Sequence, residues 1–136
     1  MATIGADIAA YLQALGTVGT HTGSPITLFR DVMPASPDVC GAIFESGGAP
    51  PTPGFGVEGI VSESPTVQIR FRGVANDSQG PLAKARIAYA ALQRVGVTLS
   101  SNFYHTLRPM QPPFILERDA NQRVVWVFNV AAERDI

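Results

Sequence analysis

FILERDANQRVVWVFNV, residues 114–130, decides the fold: two runs rich in aliphatic and aromatic residues, Phe114–Arg118 and Arg123–Val130, flank the turn-forming Asp119-Ala120-Asn121-Gln122. That is the pattern of an antiparallel hairpin. Upstream, Phe103–Arg108 reads as a further strand, closed off by Pro109, Pro112 and Pro113. Earlier still, Pro65–Arg72 alternates, with Val67, Ile69 and Phe71 on one face and Gln68, Arg70 and Arg72 on the other. One face belongs to a core, and the other is wet or contacts a partner.

Between these strands, Asp77 or Ser78 caps a helix that tolerates Pro81 in its first turn and runs to about Arg94. Its wheel carries two apolar arcs. Leu82, Ala85, Ala88, Tyr89 and Leu92 form one, and Ala83, Ile87, Ala90 and Ala91 lie largely opposite. The second arc is either alanine used as a helix former or a surface that docks a neighbouring subunit. At the start of the chain, Ile4, Ile8, Tyr11, Leu12 and Leu15 share one side of a short helix that Gly16 terminates. A loop over Thr17–Ser24 leads to a strand at Ile26–Arg30, ended by Pro34 and Pro37, and Val39–Phe44 reads as a central strand buried on both faces.

The order predicts an α+β fold: a mainly antiparallel sheet of about five to six strands with two helices packed on one face. A chain of 136 residues, 46% hydrophobic and 15% charged, fits a single domain over 1–136. Within it, residues 46–64 are expected as a long Gly/Pro-rich loop. The net charge of −1 gives no bulk field for nucleic acid or anionic membranes. No apolar run approaches the ~18 residues of a membrane span. The segment MATIGADIAAYLQALG lacks the cationic flank of a signal peptide, so the expectation is a protein made and kept soluble in the cytoplasm.

Chemistry is hard to find in these residues. Gly54, Gly56 and Gly59 spell G-x-G-x-x-G, but they follow prolines and lead into a strand rather than a helix, the wrong context for a dinucleotide. His21 and His105 have no second ligand at metal-binding spacing, and no cofactor is expected. Cys40 lies in an apolar strand that raises its pKa, against a nucleophilic role, although a Cys40/His105 pair across a sheet is geometrically open. Arg70 and Arg72, with Arg108, Arg118 and Arg123 near strand ends, make either a solvated face or a basic stripe for subunit or partner contact. Nucleic-acid binding ranks below both, because no aromatic residue interleaves them.

Taken together, the N-terminal helix, IFESGGAPP, VQIRFRG, the helix after NDS, FYH and MQPPFILERDANQRVVWVFNV resemble the phage minor capsid and tail-terminator proteins of siphovirus type, from about Ile4 to Val130. The match is carried by Glu45, Gly47, Gly48, Pro50 and Pro51, by Val67–Gly73, and by Pro113, Ile115, Leu116, Asp119, Asn121 and Arg123. One departure stands out: a D-x-N-G-R turn is expected, yet Gln122 occupies the glycine position.

The resemblance implies a virion structural protein and not an enzyme. It implies a ring, usually of six copies, that caps the tail tube at the neck and meets the head-side connector or stopper, with DNA only passing through the lumen. A head-completion or neck protein, or another minor capsid protein, is the close alternative. A small enzyme using Cys40 or His105 and a host binding module are the readings from other classes. A ring needs two unlike patches on each subunit. The candidates for subunit or partner contact are Gly47, Gly48, Pro50, Pro51, Phe55, Arg70, Arg72, Ala83, Ile87, Ala90 and Ala91. The Gly/Pro segment is read as ordering against a neighbour, with a plain connector as the alternative.

Overall fold

The computed structural model describes residues 3–53 and 60–135, without the side chains of 52, 53, 60 and 61. The chain runs α1 (Ile4–Leu15), β1 (Leu28–Arg30), β2 (Cys40–Pro53), β3 (Ile60–Ala75), α2 (Gln79–Ala91), β4 (Arg94–Leu99), β5 (Asn102–Pro109), β6 (Phe114–Arg118) and β7 (Arg123–Asp135). Thr3 caps α1 by accepting from the Ala6 N–H, and Gly16 closes it at φ +77°. Both ends therefore satisfy backbone groups the helix cannot pair internally. At α2 the Asp77 carboxylate accepts from the N–H groups of Gln79 and Gly80. That helix ends at Ala91 rather than near Arg94, because Arg94 opens a strand.

Seven strands form one mixed sheet in the order β1-β2-β3-β7-β5-β4, with β6 also paired to β7. The count exceeds five to six because Arg94–Leu99 is a strand in its own right. It turns into β5 through Ser100 and Ser101, at φ +49° and +73°. Two left-handed residues in a two-residue loop match the right-handed twist of a hairpin. The sheet also departs from an antiparallel pattern at one edge, where β1 runs parallel to β2, Leu28 opposite Gly41.

Residues 46–64, expected as a loop, are largely hairpin: β2 and β3 pair from Cys40 opposite Arg72 out to Pro53 opposite Ile60. Register shifts after Glu45 and Ala49 accommodate Gly47, Gly48, Pro50 and Pro51. Beyond Ile43 the outer side of β2 has no strand partner among the described residues, so prolines cost no ladder bond there. The G-x-G-x-x-G glycines and Phe55 lie outside the described residues.

One core joins Ile4, Ile8 and Leu12 of α1 and Ala85, Ala88 and Leu92 of α2 to Ile43, Val67, Ile69, Phe71, Tyr104 and Phe128. Tyr89 meets the Phe128 ring edge-on at 5.8 Å between centroids. A parallel pair such as β1 and β2 needs a crossover, and here residues 31–39 provide it without a helix. Two buried arginines hold it down. Arg72 donates to the carbonyls of Pro34, Pro37 and Asp38, and Arg123 donates to the carbonyl of Ala35 and the carboxylate of Asp38. Each guanidinium has donors enough for several acceptors in one plane, which suits it to loop carbonyls that no ladder satisfies.

Candidate assembly surfaces

The outward arc of α2 is where the wheel puts it. Ala83 and Ala90 are exposed, Ile87 is 42% exposed, and Ala91 is half-buried, its carbonyl accepting from the Tyr11 hydroxyl at 3.2 Å. Gly47, Gly48, Pro50 and Pro51 are exposed on the β2–β3 hairpin. Arg70 and Arg72 part company. Arg70 donates to Gln68 at 2.7 Å and stacks 4.5 Å over the Phe44 ring, half-exposed on the sheet. Arg72 is 4% exposed and spent inside the subunit on the crossover, which removes it from any outer stripe. Arg123 is likewise buried, pairing with Asp119 at 2.8 Å and Asp38 at 2.9 Å.

No catalytic constellation forms from the residues singled out for chemistry. Cys40 is buried opposite Arg72, and burial pushes its thiol pKa up despite Arg72 and Arg123 nearby. His105 lies beyond β3 and β7, toward the other end of the sheet, where it pairs with Asp135 at 2.7 Å and meets Phe103 edge-on. Strand register keeps the two apart. His21 spends its backbone N–H on Gln13, and its ring nitrogen sits 3.1 Å from the Leu28 carbonyl. Among the described residues no three His, Cys, Asp or Glu side chains converge as metal ligands. A depression of about 430 Å³ lies between α2 and the β4–β5 edge, walled by Tyr89, Arg94, Val95, Thr106, Leu107 and Arg108 among others. Its lining carries no carboxylate, Cys or His.

Two features escaped the sequence reading. Phe114, Ile115 and Leu116 of β6 are 41%, 51% and 41% exposed, although three adjacent large apolar residues in a strand read as core. Among the described residues β6 pairs with β7 alone, and all five of its residues are exposed, so side chains on both of its faces meet solvent. An isolated subunit exposes what soluble proteins normally cover. The second feature is a buried polar knot. Asp7 of α1, fully buried, accepts from the Tyr104 hydroxyl and from Asn102 at 2.8 Å, and stands 3.6 Å from the Arg134 guanidinium, which also pairs with Glu63. Burial, then the hydrogen bond to Asp7, pushes the Tyr104 phenol well above its ordinary pKa. The sequence signal for Asp7 was a single acid on the first helix, next to its apolar side.

A family model described as bacteriophage tail terminator protein matches residues 8–136, nearly the whole chain. The chain belongs to the bacteriophage tail terminator family. It is therefore a structural protein of the phage tail and not an enzyme, and its place is the virion tail, among other tail proteins. No curated protein matches it. Among the described residues of this tail terminator, no helix is long and apolar enough to cross a membrane.

Proposed function

We propose that this chain closes a ring, of six copies in the usual symmetry, that caps the finished tail tube and presents it to the head-side connector or stopper. Copies are made in the host cytoplasm, DNA only passes through the lumen, and in the virion the ring is a minor capsid component at the neck. In this reading both helices cover one face of the sheet and leave its edges for assembly. The observation that carries it is β6, whose three large apolar side chains stay exposed on a single copy. Burying apolar area at ~25 cal/mol per Å² makes such a strand a strong source of association. The outer arc of α2, with Ala83, Ile87, Ala90 and Ala91, the β2–β3 hairpin, with Gly47, Gly48, Pro50 and Pro51, and Phe55, outside the described residues, serve the axial contacts with tube and connector. The half-exposed Arg70 supports carboxylate recognition on that sheet face.

Negative-stain microscopy of the purified protein, alone and mixed with assembled tail tubes, tests this. Rings or density at tube ends are expected; a dispersed monomer that ignores tubes at high concentration overturns the reading. Deleting residues 49–56, which shortens the hairpin, is expected to leave the circular dichroism spectrum intact and abolish end-capping. Normal capping by that variant refutes the role given to the hairpin.

A further inference from the structure

Charge is distributed unevenly along the chain. Residues 78–116, which carry α2, β4, β5 and the start of β6, contain Lys84, Arg86, Arg94 and Arg108 and not one Asp or Glu; all 11 acidic residues lie outside this segment. The net charge of −1 conceals the segregation.

Folding brings two of these cations to one groove. The depression between α2 and the β4–β5 edge has an apolar wall of Tyr89, Val95 and Leu107 and carries Arg94 and Arg108, with no carboxylate in its lining. Arg86, exposed on α2 one turn before Tyr89, adds to the positive field beside it. Among the described residues none of the four cations forms an ion pair, whereas Arg123 and Arg134, elsewhere in the fold, each meet two carboxylates. Arg94 donates to the Tyr11 hydroxyl at 3.0 Å, a neutral partner that leaves its charge uncompensated. Glu133, opposite Thr106 on β7, shares a second depression with Arg108, but it does not wall this groove and the two do not pair.

The groove is the size of a ligand cleft, and Val95 beside it is 83% exposed. β4 is the last strand of the sheet, yet Gly96, at φ +64°, drops out of the ladder between Val95 and Val97. That bulge spoils the edge as a template for another strand, which leaves recognition to side chains.

We infer, resting on the axial role given to α2 above, that this groove takes a short acidic segment of a neighbouring tail protein. An apolar side chain of the segment packs against Tyr89 and Val95 over Leu107, and carboxylates flanking it meet Arg94 and Arg108. Nucleic acid fits less well, because the wall between the two arginines is aliphatic and the Tyr89 ring is already packed on Phe128 rather than free to stack a base.

The test follows the fluorescence anisotropy of a labelled short peptide of Leu, Ala, Asp and Glu against the full-length protein, with circular dichroism as the check on folding. Saturable binding is expected, and replacing the peptide's acids by Gln weakens it at least about tenfold. Val95→Asp, which sets a carboxylate in the groove, and Arg108→Glu are each expected to weaken it to a similar degree. Arg118→Glu, the same charge reversal at the end of β6, leaves it unchanged. An equal loss in Arg118→Glu shows a response to bulk charge and overturns the site, as does full binding by both Val95→Asp and Arg108→Glu. A short DNA duplex that displaces the peptide at equal or lower concentration assigns the groove to a phosphate backbone and overturns the proposal too. A chain that forms rings yet ignores the peptide removes the groove and leaves the ring; one that binds the peptide but never assembles keeps the groove and removes the ring.

Discussion

Gly48 sits at φ +122°, and a Cβ built there would lie 2.1 Å from the Ser64 carbonyl oxygen. Two independent penalties coincide, a backbone region closed to L side chains and a clash with main chain that cannot swing away. Gly48→Ala is expected to cost about 2–4 kcal/mol in urea unfolding. A loss under about 0.5 kcal/mol would mean the hairpin relaxes around it. Gln122 is the reverse case, a side chain at φ +63°. The Gln122 N–H donates to the Asp119 carbonyl and the Asp119 N–H to the Arg123 carbonyl, a turn whose last residue must be left-handed. Gln122→Gly is expected to raise stability by about 0.5–1 kcal/mol. An unchanged melting temperature would show that the turn bears no strain.

At the scale of elements, the knot of Asp7, Tyr104, Asn102 and Arg134 fastens α1 to β5 and β7. Tyr104→Phe removes a buried donor from a carboxylate and is expected to cost about 1.5–3 kcal/mol at neutral pH. The sign with pH follows from the raised phenol pKa. Its contribution is complete below the unfolded value of about 10 and is lost as pH climbs toward the folded one. The gap between parent and variant should therefore narrow above pH ~10; a gap that is flat or widens there contradicts the assignment.

Several elements are legible in the sequence because their signals are local: the Gly16 end and apolar stripe of α1, the alternation of Val67, Ile69 and Phe71, and the Asp119–Gln122 turn. The β4–β5 hairpin is not. Two serines in left-handed conformations carry none of the Asn-Gly or Asp-Gly chemistry that announces such a turn, and α2 was read into β4. The prolines of β2 suggested a loop because their tolerance depends on an open edge, a tertiary fact. Arg72 was placed outside because its partners are carbonyls more than thirty residues away. Of the candidate surface, the outer arc of α2 followed from its wheel, whereas the exposure of β6 depends on what the rest of the fold leaves uncovered.

Across the whole molecule, a net charge of −1 leaves no long-range field to drive association. In the proposed ring, specificity would then have to come from local contacts, the exposed apolar face of β6 foremost. Arg72 and Arg123 pin the crossover from within the subunit, so its conformation needs no partner to order it. The knot at Asp7 has a different consequence, one of timing. Its acid sits on α1, while Asn102, Tyr104 and Arg134 follow about a hundred residues or more later in the chain. During synthesis the Asp7 carboxylate therefore stays hydrated until β5 and β7 have emerged, so this fastening of α1 closes late even though its apolar side can meet β1, β2 and β3 earlier.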